Sequence, residues 1–170
     1  YGAFLLKKQR QSNEQEELIH NEQLQRLNEF MAELSPELIA SQPMLLYISG
    51  LTNFFNGNLE KASQDFRDYL AEEPDDIKAV MLLSQTYTAT QQDKKALALL
   101  EKHQDALLED IDSALILGDL LVRQNRAFKA EKLLEKLEKL HKKNSRLQLF
   151  KICLLYTNDA ADEQNQRQLR

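Results

Sequence analysis

Residues that bend, break or crosslink a chain are scarce here. Glycine occurs 4 times and proline 3 times in 170 residues, while Leu, Ala, Glu, Gln and Lys dominate, so strands are not expected and short connections between helices are. The single cysteine, Cys153, cannot close an internal disulfide, and its neighbours Ile152, Leu154 and Leu155 predict a buried, inert thiol. No stretch approaches the roughly 18 apolar residues of a membrane span. The 3 histidines, His20, His103 and His141, are far apart and form no metal-ligand pair with each other or with Cys153. His103 reads as a partly buried packing residue. The glycines make no phosphate-cradling loop, so neither a cofactor nor a metal is called for. A net charge of −5 with a pI near 5.3 repels a phosphate backbone, which argues against a nucleic-acid partner.

The chain opens on Tyr1-Gly2-Ala3-Phe4-Leu5-Leu6 ahead of Lys7, Lys8 and Arg10. Two readings stay open: the tail of an anchor that lies upstream, or the first turn of a helix. From Gln9 to Asn28 the sequence is polar and helix-prone, with Leu18, Leu24, Leu27, Met31 and Leu34 as a narrow apolar stripe suited to docking by one edge. Ser35-Pro36-Glu37 is a helix start: Ser can cap, Pro suits the first position and Glu favours the positive end of the dipole. Residues 1–42 therefore form an N-terminal helical segment.

From Pro43 onward one pattern recurs every 34 residues. Gly50, Ser84 and Gly118 stand in register, as do Ala62, Ala96 and Ala130, with Phe66, Leu100 and Leu134 four residues after each alanine. Small residues at fixed places let helices cross closely, and larger neighbours fill the space on either side. The units are 43–76, 77–110 and 111–144, with turns at Asn56-Gly57-Asn58, Gln91-Gln92-Asp93 and Gln124-Asn125-Arg126. Residues 145–170 open a fourth unit with an apolar helix and then turn polar after Thr157, as a frayed cap or truncated repeat would. A 34-residue period predicts an all-α, right-handed solenoid of antiparallel helix pairs.

The small residue at Gly50, with Ala62, Phe66 and Pro74 at their set distances from it, resembles the tetratricopeptide repeat family, and the likeness covers residues 43–144. Leu46, Val80 and Ala114 replace the usual large aromatic, and the later two repeats lack the proline. Met44 to Gly50 with Tyr69-Leu70 is also similar to repeat proteins of bacterial envelope and exopolysaccharide export. That likeness implies a bacterial envelope or periplasmic setting, with the cytoplasm as the alternative.

The resemblance further implies a concave groove. Its positions fall on Met44, Tyr47, Leu51, Phe54 and Phe55; on Lys78, Met81, Gln85, Thr88 and Ala89; and on Asp112, Leu115, Asp119, Val122 and Arg123. Gln85, Asp119 and Arg123 would orient a bound segment. Tyr47, Leu51 and Phe55 have a second reading, in which they pack against the N-terminal helix. The family's carboxylate clamp is disfavoured, because Tyr47, Leu51, Asp112 and Ile116 occupy its basic and amide positions.

Paired carboxylates at Glu72-Glu73-Pro74-Asp75-Asp76 and Glu109-Asp110-Ile111-Asp112 recur at repeat corners, where helix N-termini favour acids. Lys129, Lys132, Lys136, Lys139, Lys142 and Lys143 are interleaved with Glu131, Glu135 and Glu138, which reads as a solvated helix face with i,i+4 pairs. No catalytic constellation emerges. The expected function is a non-catalytic scaffold that takes a peptide or helical segment of another protein into its groove. The alternative is a structural module that associates through solenoid ends, above all through the apolar helix from Leu147 to Tyr156.

Overall fold

A computed structural model describes residues 21–142 and 144–168, side chains beyond Tyr156 excepted. Leu18, His20 and the opening basic segment lie outside the described residues. Every described element is helical: α1 (21–32), α2 (Pro36–Ser41), α3 (Pro43–Phe55), α4 (Leu59–Glu72), α5 (Ile77–Ala89), α6 (Asp93–Lys102), α7 (Gln104–Leu107), α8 (Ile111–Arg123), α9 (Ala127–Leu140) and α10 (Ser145–Gln168). Two compact units divide the chain between Glu73 and Pro74. The first holds α1 to α4, the second α5 to α10.

In the first unit, Ser35 caps α2 by accepting from Leu38 N at 3.2 Å, and Pro36 fills the first helical position. Pro43 then starts α3 directly after Gln42, so the Ser35 signal produces only a short helix. Leu24, Leu27, Met31 and Leu34 are half-buried, as an edge-docking stripe should be. Asn28 and Asn56 exchange side-chain hydrogen bonds, Asn56 Nδ2 donating to Asn28 Oδ1 at 2.6 Å, and this pins α1 to the end of α3.

All three hairpins turn in the same way. Gly57, Gln91 and Asn125, 34 residues apart, have φ of 78°, 58° and 55°. The amide after each reaches back to close a helix-end ring: Asn58 N to Asn53 O at 2.8 Å, Gln92 N to Tyr87 O at 2.7 Å, and Arg126 N to Leu121 O at 2.8 Å. Such a left-handed residue satisfies carbonyls that the helix end leaves open. Glycine adopts it without strain; Gln91 does not.

Ala62, Ala96 and Ala130 are wholly buried, and so are Phe66 and Leu100. A methyl built on Gly50 would lie 2.6 Å from the Phe66 ring, and one on Gly118 would lie 2.6 Å from Phe150. The glycine at the first place therefore admits its own second helix, whereas Gly118 admits the leading helix of the next unit.

The seam between α3 and α4 is polar. Ser49 Oγ donates to Asp65 Oδ2 at 2.7 Å, Asn53 Nδ2 donates to the same oxygen at 2.9 Å, and all three side chains are buried. One and two periods on, these positions hold Leu83, Tyr87 and Leu99, then Leu117, Leu121 and Leu133. The repeat pattern gave no warning of this substitution.

In the second unit, Asp76 caps α5 by accepting from Lys78 N and Ala79 N at 2.9 and 3.2 Å, and Asp110 caps α8 by accepting from Ser113 N at 2.9 Å. The acidic corners are thus helix caps. Ser113 bonding, from its hydroxyl first and its amide next, holds the Asp110 carboxyl below its usual range against the opposing effect of burial, with lesser help from His141 and Arg146.

Three features depart from the regular pattern. The second hairpin's second helix is interrupted at His103, and beyond the break Leu107 and Leu108 both turn inward. The His141 ring donates from Nε2 to the Leu108 carbonyl at 2.8 Å, tying the end of α9 to that turn. The C-terminal region does not fray after Thr157 but continues as helix to Gln168. Cys153 on it is exposed, not buried, because the buried side of α10 is set by Leu147 and Leu154, and Cys153 falls one helical step away from that stripe.

Candidate functional site

Of the groove positions in the first unit, Tyr47 of α3 is half-buried against α4. Its ring lies 5.1 Å from Tyr69 and 6.1 Å from Phe66, the latter edge-on. Leu51 and Phe54 are half-buried, with Phe54 edge-on to the exposed Phe55 at 5.5 Å. These rings pack within their own hairpin. Tyr47 therefore contributes an edge rather than a whole ring to any surface.

In the second unit, Met81 and Thr88 are half-buried and Gln85 is exposed. Thr88 lines a polar hollow of about 470 Å³ with Gln91, Gln92, Asp93 and Arg123. Arg123 is held on both sides, by Asp119 at 3.0 Å and Asp93 at 3.3 Å. It is not an idle cation awaiting a ligand.

Four groove positions of the third repeat do converge. Asp112, Leu115, Asp119 and Val122 form one wall of a cleft of about 430 Å³, and Arg146, Leu149, Phe150 and Cys153 from α10 form the other. Spacings of three and four residues put each set on one face of its helix. Gly118 makes the cleft by letting the Phe150 ring settle onto α8. Its floor is apolar, and the rim carries an ion pair between Arg146 and Asp112 with Asp119 beyond. A hollow of this make-up suits an apolar side chain or two flanked by polar groups.

The α10 wall was missed in the sequence although the signal was present. Adding 34 to Asp112, Leu115, Asp119 and Val122 gives Arg146, Leu149, Cys153 and Tyr156. Both walls are the same face of successive leading helices.

Elsewhere, charges that alternate along α9 separate onto its two flanks. Lys129, Lys132 and Lys136 line a groove with Glu101 of α6, and Glu131, Glu135 and Glu138 line another with Lys151 of α10. Lys129 meets Glu101 at 2.5 Å and Lys151 meets Glu138 at 3.0 Å. His103 is half-buried; burial and then Lys102 hold its imidazole below the ordinary value, with Asp75 opposing them. Among the described residues no group of three or more His, Cys, Asp or Glu side chains could hold a metal ion, and no helix is long and apolar enough to cross a membrane.

Helix hairpins repeated at 34 residues, with a left-handed residue at each turn and alanines at the crossings, define a helical-repeat scaffold of the solenoid class. The tetratricopeptide repeat family model matches residues 56–112, the stretch from the first hairpin turn to the start of α8. Solved structures agree on the fold. MamA MSR-1 C2 is similar at 17% identity with a TM-score of 0.63, covering 89% of this chain and 87% of its own. MamA D159K mutant 1 is similar at 18% identity with a TM-score of 0.58, covering 74% and 71%. No curated protein matches significantly. Repeats of this family serve as protein–protein interaction scaffolds and bind protein partners, and the fold is generally non-catalytic.

Proposed function

We propose that the α8–α10 cleft takes up an apolar segment of a partner protein, a peptide or one face of a helix. The observation that supports this reading is the cleft itself: Leu115, Val122, Leu149 and Phe150 offer apolar floor between two walls built from equivalent repeat positions. Apolar anchors supply most of the affinity in such contacts, and polar rims set orientation. Asp112 and Arg146 fill the second role here, with Asp119 kept in place by Arg123.

The test is a binding titration with a partner captured from the native host. Leu115→Lys should weaken binding by roughly 10- to 100-fold with little dependence on salt, whereas Arg146→Glu should weaken it less and alter its salt dependence. Circular dichroism must first show both variants folded. Unchanged affinity in both would move the site to the polar hollow around Thr88 and Arg123.

A further inference from the structure

The helix α10 is apolar on all sides between Leu147 and Tyr156. Leu147 and Leu154 are buried against the rest of the second unit, yet Leu149, Ile152, Leu155 and Tyr156 are 64%, 63%, 57% and 76% exposed. A helix apolar all round is normally covered all round. Leu149 belongs to the cleft wall, but Ile152 and Leu155 do not. They stand one period beyond Gly118 and Leu121, both buried. Equivalent positions in every earlier unit are buried too: Gly50 and Asn53, then Ser84 and Tyr87. Leu155 lines the edge of the α9–α10 groove, yet both it and Ile152 stay mostly exposed.

What covers this side of α10 must act as the second, antiparallel helix of a hairpin. We infer that a second copy of this chain supplies it, with the two α10 helices pairing antiparallel about a two-fold axis near Ile152 and Leu155. A two-fold contact brings the same patch of each copy together, and an axis perpendicular to the helices makes the pair antiparallel where an axis along them would make it parallel. Charge favours it as well. The helix reads basic toward its start, at Arg146 and Lys151, which also meet Asp112 and Glu138 of their own chain, and net acidic farther on, where Asp159, Asp162 and Glu163 outnumber Arg167. An antiparallel pair sets the basic end of each copy beside the acidic end of the other, and a parallel pair sets like beside like. The opposed helix dipoles add to the same preference. This pairing is separate from the cleft, which lies on the Leu149 and Phe150 side, so either can be present without the other.

Sedimentation equilibrium on the whole chain across concentration reads the association. The wild type should pass from monomer to dimer, and Ile152→Lys with Leu155→Lys should weaken dimerisation on the order of 100-fold or more, while Leu115→Lys in the cleft should leave it unchanged. Both replaced side chains are exposed, so the double variant should keep its circular dichroism. A wild type that stays monomeric, or a double variant that associates equally well, overturns the proposal. Orientation is read by short bis-maleimide crosslinking in a Cys153→Ser background. Copies carrying Gln148→Cys should crosslink to copies carrying Asp159→Cys in preference to themselves; preferential self-crosslinking at both positions would mean parallel packing and would likewise overturn the assignment.

Discussion

The hairpins α3–α4 and α8–α9 share a turn geometry and a crossing alanine, yet they close on opposite chemistries. In the first, Ser49 and Asn53 reach across to the buried carboxylate of Asp65; in the other, Leu117, Leu121 and Leu133 fill the same three places. The leucine seam gains from area removed from water at roughly 25 cal/mol per Å². The polar seam gains little net energy, because its hydrogen bonds replace those made to water. What the polar seam supplies is discrimination. A buried carboxylate accepts only the partners that satisfy it, whereas leucines tolerate sliding.

Breaking each seam should show the difference, with the leucines giving the largest effect. Leu133→Ala should cost about 2–5 kcal/mol in denaturant unfolding, since Leu133 is only 1% exposed and its removal leaves a cavity. Gly50→Ala should cost about 1–3 kcal/mol, because the Phe66 ring it would strike is fully buried, and Gly118→Ala should cost less because Phe150 is only half-buried and can yield. Asp65→Ala strands the donors of Ser49 and Asn53, and about 1–3 kcal/mol should be lost. If Asp65→Ala matched wild type, the polar seam would have no structural weight.

The turns sharpen the comparison at smaller scale. Gly57→Ala should destabilise by about 1 kcal/mol, while Gln91→Gly, at the equivalent left-handed position, should stabilise by up to about 1 kcal/mol. Both are read by thermal unfolding. The smallest effect concerns His103. Its imidazole sits below the ordinary 6.5 when folded, so the unfolded chain takes up a proton first, and stability should fall as pH drops through 6.5 toward the lower folded value. Replacing His103 with Gln should flatten that part of the pH profile.

The repeat, its turns and its corner caps were legible in the sequence because each depends on residues near one another in the chain: a small residue, a turn residue, an aspartate before a helix. The register even held the second wall of the cleft, had it been carried past Asn144. Asp65 was not legible as a seam residue, since an acid among Gln64, Arg67 and Asp68 looks like one more solvated charge until the helix places it inward. The break at His103 and the exposure of Cys153 were equally hidden. Both depend on which side of a helix finds a neighbour, and an apolar run around a whole helix does not announce which side that is.

The sorted flanks of α9 give the stack a polarity. Glu101 of the preceding second helix answers the lysine side, and Lys151 of the next helix answers the glutamate side. The third hairpin thus carries a different tag toward each neighbour, and reversing its place in the order would set lysine against lysine and glutamate against glutamate. Each exposed pair is weak alone. Together they make the succession of units along the chain a matter of sign as well as shape, so a shuffled version of these repeats should assemble poorly at low ionic strength and recover as salt is added.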